Sequence, residues 1–291
     1  MLRAAFSERT LAPARIAAIA IHECAVAAIM VMGRVRGVRC AMLSTLEAAD
    51  IVVLFLVLGL MAQRRRDRRR LRWFVGDLAA RRWSRRHVVL EVARRCYALP
   101  FRRNPVFCSP IFGPLGATPS AVIELGGCCS DRSRLLILAL AELDIRAYQI
   151  TLYHRAGHAQ HCLVEAYLQD ERLIVDPTYG FFYTDANGGS LSLQDLQAGK
   201  QPIYLALRAS ETCGYPANTY YDFDFRASKT ANWTKSATRR VAYRALRRVW
   251  GSAADRLEVP AALEWPQHLF IVIAMGCLIT MHLATALLGG H

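Results

Sequence analysis

The chain has 291 residues, and its 37 Lys and Arg residues against 23 Asp and Glu residues give a formal net charge of +14. Only three of the basic residues are lysines, and the arginines are densest directly after an apolar segment and carry no recognisable nucleic-acid motif, which argues against a nucleic acid as partner. Nine cysteines at irregular spacing do not form the pattern of a disulfide framework, and they favour a reducing compartment.

Two apolar segments near the N-terminus are candidates for membrane spans. Residues 16–33 are apolar apart from His22 and Glu23, and we interpret them as a span or a signal-like segment. Residues 42–62 are the better candidate, because their second half is continuously apolar. The arginine-rich run at 64–70 follows at once, and such a basic flank predicts that this end of the span faces the cytoplasm.

The next stretch, residues 73–98, continues with a helical pattern in which an apolar stripe runs among arginines. The stripe predicts the first helix of a soluble domain, packed on its core. The arginines are also compatible with a helix that lies on anionic lipid, and both interpretations stay open. Residues 99–127 contain five prolines and several glycines, and they are predicted to form a loop that lines one wall of a cleft.

After this loop the sequence places a cysteine at the start of a helix. Two consecutive glycines interrupt the preceding segment, and residues 129–143 then show an apolar helical pattern, with Ser130 and Asp131 suited to its first turn. Cys129 is therefore predicted to lie at a helix N-terminus. Free N–H groups and the helix dipole at this position favour an anion, and a thiolate is such an anion.

An antiparallel pattern follows the helix. Alternation of apolar and polar residues predicts two strands between residues 147 and 166, and a short third strand that ends at an Asp-Pro pair. A helix followed by such strands brings Cys129, His161 and Asp176 to one end of the sheet. A cysteine nucleophile needs a base and a group that orients the base, and these three residues supply them.

Three motifs in this region resemble the transglutaminase-like superfamily of cysteine enzymes. They are GCCSD at 127–131, HCLVE at 161–165 and DPT at 176–178, and together they define about a fifth of the chain. The resemblance implies a papain-like α+β domain in which Cys129 is the nucleophile, His161 the general base and Asp176 the orienting group. It implies no metal and no cofactor.

Two features of these motifs leave alternatives open. Leu163 stands where the family often has an aromatic residue, and Cys128 directly precedes Cys129, so that either thiol is a candidate for reaction. A zinc site is a further alternative, although its spacing lacks paired Cys-x-x-Cys units. Its donors would be Cys128, Cys129, His158, His161 and Cys162.

The last third of the chain predicts further elements and ends in an apolar segment. We expect strands at 181–183 and 202–207, a short helix at 190–198, core packing by the aromatic residues of 214–227, and a basic helix at 238–250. Residues 269–288 have the length and composition of a spanning helix. Because arginines precede this segment and none follow it, its N-terminal end is predicted to be cytoplasmic.

The sequence therefore predicts an α+β protein with membrane segments at both ends. Residues 1–72 form an N-terminal membrane region, 73–266 a transglutaminase-like domain with a helix-borne cysteine packed on an antiparallel sheet, and 267–291 a C-terminal transmembrane helix. Both better spans place the central domain on the cytoplasmic side of a bacterial-type inner membrane.

The predicted function is a membrane-anchored cysteine hydrolase or acyltransferase. The catalytic residues Cys129, His161 and Asp176 would act on an amide or ester bond of a peptide or protein through a thioester. Membrane lipid is the second expected partner. The alternative from another class is a non-catalytic scaffold of the same fold that assists the synthesis or export of peptides or polysaccharides at the membrane.

Overall fold

The computed structural model describes residues 38–102, 117–207, 223–233, 237–258 and 264–289. The chain is an α+β protein that divides into two compact units. The larger unit is Leu60–Phe270, and the described residues before and after it form the smaller one. The predicted boundaries at residues 72 and 266 stay predictions.

The described ranges contain helices and the six strands of one sheet. The helices are α1 (Val38–Val75), α2 (Arg85–Tyr97), α3 (Pro119–Leu125), α4 (Cys129–Ala141), α5 (Leu193–Gln197), α6 (Ala237–Trp250) and α7 (Pro266–Gly289), and short 3-10 helices at Gly76–Ala80 and Gly251–Arg256 follow α1 and α6. The strands are β1 (Ala147–His154), β2 (Ala159–Tyr167), β3 (Arg172–Asp176), β4 (Phe181–Thr184), β5 (Ile203–Ala206) and β6 (Phe223–Lys229).

The six strands form one curled antiparallel sheet in the order β5-β4-β3-β2-β1-β6. Strand β2 lies in its interior, and both of its faces are covered. Val164 belongs to the core that α2 and α4 form on one face, and its neighbour Leu163 belongs to the core on the other face. Because side chains alternate along a strand, consecutive residues of β2 pack into the cores on opposite faces of the sheet. The side chains of residues 161–166 are all buried, and this double burial fixes the face on which each of them lies.

The helix expected over 73–98 is interrupted in the structure. Helix α1 ends at Val75, Gly76 adopts a positive φ of 53°, and α2 begins after Ser84, whose hydroxyl accepts a hydrogen bond from the His87 N–H at 3.2 Å. A positive φ suits glycine and ends a helix. The apolar side of α2, including Val89, lies in the core of the larger unit. Packing of this stripe on the core is therefore confirmed.

Two elements lie where the sequence patterns predicted none. Helix α3 occupies part of the proline-rich segment that was predicted to be a loop, with Pro119 as its first residue. Strand β6 includes part of the segment that was interpreted only as aromatic packing. Seven residues are too few for a clear helical period, and β6 pairs with β1, which lies far earlier in the chain.

Several arginines at the end of α1 form ion pairs within the larger unit. Arg68 and Arg72 form ion pairs with Glu142 at 2.6 and 2.8 Å, and Arg70 pairs with Glu124. Within the same stretch Asp67 is buried and accepts a hydrogen bond from the Gln267 side chain at 2.5 Å. The basic flank of the predicted span thus also belongs to the packing of the domain.

Helix α7 contains a segment that is long and apolar enough to cross a membrane, Phe270–Leu287. The predicted span at 42–62 lies within α1, where Val52 and Phe55 expose their side chains. In the smaller unit His282 Nε2 lies 2.9 Å from Asp50 Oδ1. The segment at 16–33 lies outside the described residues, and membrane crossing stays a prediction.

Candidate active site

Helix α4 presents Cys129 at its first position. Cys128 caps the helix with extended backbone angles, and the Asp131 carboxylate accepts hydrogen bonds from the Cys128 N–H at 3.2 Å and from the Cys128 thiol at 3.3 Å. Cys129 itself is half-exposed. N–H groups of a first helical turn have no partner within the helix, so they are available to stabilise negative charge beside Cys129.

The two glycines before the cysteines allow another segment to pass close to the helix start. Gly126 has a φ of 76°, and a side-chain carbon on it would lie 1.9 Å from the Pro100 carbonyl oxygen. The Gly127 N–H donates to this same carbonyl at 3.1 Å, and the Gly127 carbonyl accepts from the Arg102 N–H at 3.2 Å. The segment around Pro100 therefore fixes where α4 begins, and with it the position of Cys129.

His161 lies on β2, buried, and joins the other two predicted site residues. Its Nε2 atom lies 2.8 Å from Asp176 Oδ2, and its side chain is also hydrogen-bonded to Cys129. The rings of Tyr179 and Phe223 pack near the imidazole, with centroid distances of 4.8 and 6.1 Å. The structure thus brings together Cys129, His161 and Asp176, which come from a helix, a strand and a strand end.

Asp176 is fully buried at the end of β3 and is held by its own turn. Its Oδ1 atom accepts hydrogen bonds from the backbone N–H groups of Thr178 at 2.8 Å and Tyr179 at 3.1 Å, which leaves Oδ2 for His161. The carboxylate is thus an acceptor for three donors. Such a set of donors fixes the orientation of the carboxylate.

The environment of His161 favours its protonated form. Burial by itself lowers the pKa of this imidazole, but the charge and hydrogen bond of Asp176 raise it further than burial lowers it, and Cys129 adds to the increase, so that the pKa is about 10. An imidazolium at neutral pH stabilises a thiolate at hydrogen-bond distance. His161 thus places a positive charge beside the side chain of Cys129.

The two adjacent cysteines have different surroundings. Cys128 is buried, and the pKa of its thiol is raised by its hydrogen bond to Cys129, by burial and by the Asp131 carboxylate. A thiol that donates to a carboxylate stays protonated and is a poor nucleophile. Cys129 is the half-exposed member of the pair and the one bonded to His161.

Arg132, which was not predicted, connects the parts of the site. It lies one turn after Cys129, is almost completely buried, and donates to the carbonyls of Leu99 at 2.5 Å and Thr178 at 3.3 Å. It also attracts the Asp176 charge. The guanidinium thus ties α4 both to the segment before Pro100 and to the turn that holds Asp176. No sequence signal sets Arg132 apart, because it lies in the polar first turns of the helix, close to Arg134.

A zinc site needs several ligand side chains that meet at one point. His158 stacks on His154 with a centroid distance of 4.8 Å. Among the residues that the structure describes, no group of three or more His, Cys, Asp or Glu side chains is arranged to hold a metal ion.

Comparison of the chain with protein-family models, with curated proteins and with solved structures found no match. The chemistry assigned to this site therefore rests on the arrangement of Cys129, His161 and Asp176.

Proposed function

We propose that the protein is a cysteine enzyme that acts on an amide or ester bond through a thioester on Cys129. The observation that carries the proposal is the hydrogen-bonded series Cys129–His161–Asp176, in which a half-exposed thiol at a helix N-terminus meets a buried imidazole held by a buried carboxylate. The order and spacing of these residues resemble the transglutaminase-like superfamily. A papain-like domain of that kind is accordingly the fold that we propose for residues 73–266.

Each residue has one task in the proposed reaction. The Cys129 thiolate attacks the carbonyl carbon of the substrate, and the displaced π electrons form an oxyanion that first-turn N–H groups of α4 stabilise. The oxyanion collapses, the bond to the leaving group breaks, and His161 gives its proton to that group. The product of this half-reaction is a Cys129 thioester.

The second half-reaction returns the enzyme to its starting state. Water or an amine attacks the thioester and loses a proton to His161, and collapse of the second oxyanion expels the Cys129 thiolate. Asp176 stabilises the imidazolium whenever His161 is protonated. Because Asp176 is hydrogen-bonded to Nε2, Nδ1 is the nitrogen that exchanges protons in the reaction at Cys129. Water as acceptor gives a hydrolase, and an amine gives a transferase.

The apolar helices support a membrane location for this enzyme. We propose that the α1 segment and α7 anchor the chain in a bacterial-type inner membrane, with the catalytic domain on the cytoplasmic side. Arginines follow the first segment, and those of α6 precede the second. A peptide or protein amide is the proposed substrate class.

Active-site labelling tests the proposal directly. Purified protein in detergent is treated with limiting iodoacetamide at about pH 6, well below the ordinary thiol pKa of about 8.5. We expect selective alkylation of Cys129, unchanged in Cys128→Ser and slowed in His161→Ala. A burst of nitrophenol from p-nitrophenyl acetate, with an acetyl group on Cys129, would show the acyl-transfer step.

The matched variants decide between an enzyme and a scaffold. Cys129→Ser should lose both the alkylation and the burst, while Cys128→Ser keeps them. Slow, unselective alkylation of wild type that His161→Ala does not change, together with no burst, would contradict the proposal. That result would favour the non-catalytic scaffold.

A further inference from the structure

Helix α6 carries a row of apolar side chains beside a row of arginines. Val241, Ala245 and Val249 follow one another at intervals of four residues, which places them along one line of the helix. The neighbouring line includes Arg244 and Arg248. The helix contains no Asp or Glu. It is therefore amphipathic and carries only positive charge.

A different side of α6 packs on the rest of the larger unit. The Tyr243 hydroxyl donates to Asp255 Oδ1 at 2.5 Å, and the Tyr243 ring stacks on Trp233 with a centroid distance of 5.2 Å. Lys229 completes this contact with an ion pair to Asp255 at 3.2 Å. Tyr243 lies well over a quarter turn away from the row of Val241. The attachment therefore fixes the helix and leaves the apolar row open.

The apolar row is exposed to an unusual degree. Val241 and Val249 expose 60% and 76% of their surface, and Trp250 at the helix end exposes 52%. Arg244 and Arg248 are exposed beside them, and neither forms an ion pair with a carboxylate within the described ranges of the chain. An exposed apolar row beside a row of positive charges fits a partner that presents apolar groups and anionic groups together.

We propose that α6 lies flat on the anionic surface of the membrane in which the chain is anchored. The valines enter the boundary of the acyl chains, Trp250 takes the interfacial position that indole prefers, and the arginines bind lipid phosphates. The proposal rests on the proposed membrane anchoring, because the chain enters the apolar helix α7 soon after α6 ends. Nucleic acid would satisfy the arginines but not the valines.

Photo-crosslinking from the helix tests the contact. The full chain carries p-benzoylphenylalanine at position Val249 and is incorporated into nanodiscs of phosphatidylcholine with a minority of phosphatidylglycerol. The matched control carries the same group at Leu205, an exposed apolar side chain on the sheet edge. After irradiation, mass spectrometry measures the lipid adducts. We expect about tenfold more adduct at position 249 than at 205, and less in discs of phosphatidylcholine alone.

Charge reversal separates this contact from the anchoring. Arg244→Glu combined with Arg248→Glu should lower the adduct at position 249 by about tenfold while the protein stays in the discs. Arg155→Glu combined with Arg226→Glu changes the net charge equally on exposed residues outside α6 and outside the stretch 73–98, and should leave the adduct unchanged.

Three results would overturn the proposal. One is a yield of lipid adduct at position 249 that is no higher than the yield at position 205. Another is equal loss in both charge-reversed variants. The third is adduct to protein or nucleic acid instead of lipid. Failure of the chain to enter nanodiscs would overturn the proposed anchoring as well. The labelling of Cys129 tests the proposed chemistry independently of all these results.

Discussion

Strand β2 carries two buried polar clusters four residues apart, and they differ in what they can do. In the first cluster His161 is hydrogen-bonded to Asp176 on one side and to the half-exposed thiol of Cys129 on the other. At Glu165 the carboxylate accepts from the Tyr148 hydroxyl and from a backbone N–H, and the guanidinium of the partly exposed Arg172 lies 3.8 Å from it. Both acids are fully buried.

The difference teaches that burial and hydrogen bonding alone do not make a reactive site. Burial raises the pKa of Glu165 and favours its neutral form, whereas His161 is held charged by its neighbours. Only the His161 cluster places a charged group beside a partly exposed thiol, that of Cys129. Glu165, although part of the same HCLVE motif, is therefore assigned to stability.

The largest expected effect comes from breaking the His161 cluster at its acid. Asp176→Asn should slow alkylation of Cys129 at about pH 6 by roughly a thousandfold, because an amide neither stabilises the imidazolium nor fixes its tautomer. Glu165→Gln, in the other buried cluster, is the matched control. If both variants lost reactivity equally, the two clusters would not differ in role.

Removal of the buried arginine should weaken both stability and reactivity. Arg132→Met leaves buried carbonyls at Leu99 and Thr178 without a donor, and we expect a loss of about 3 kcal/mol in the free energy of unfolding. Urea unfolding measures the loss. Arg134→Met, which removes a partly exposed ion pair to Glu264, should cost about 1 kcal/mol or less. Reactivity of Cys129 that is normal in Arg132→Met would show that this arginine does not position the site.

Breaking the second cluster should affect stability alone. Glu165→Leu leaves the buried Tyr148 hydroxyl and the Leu193 N–H without their acceptor, which we expect to lower the free energy of unfolding by about 2 kcal/mol. Alkylation of Cys129 under native conditions should match wild type. A selective loss of reactivity without destabilisation would place Glu165 in the catalytic machinery.

The effect that is smallest per unit of the variable changed is a pH dependence of stability that belongs to His161. Its folded pKa lies above the unfolded value, so its contribution is fully present below about pH 6.5 and is lost as the pH rises toward 10. In Cys129→Ser, where cysteine ionisation does not contribute, the free energy of unfolding should fall by at most about 1.4 kcal/mol per pH unit in this window. Adding His161→Gln should remove that slope. A slope that persists would assign it to other groups.

Much of the local structure could be predicted because its signals are local. The helix at Cys129 and the strands around His161 and before Asp176 follow from periodicity and from the glycine and Asp-Pro boundaries. Helix α3 and strand β6 could not be predicted, since a seven-residue helix shows no clear period and the partner of an edge strand lies far away in the chain.

The amino-acid sequence by itself determined which residue types carry the chemistry and in which elements they lie. Tertiary structure decided which of the two thiols meets the imidazole, because Cys128 is turned into the capping contact with Asp131 while Cys129 faces His161. It also decided that Arg132 is buried between two loops, and that the valines of α6 have no core to enter. These outcomes depend on distances between segments that are remote in the chain, which periodicity and motif spacing do not encode.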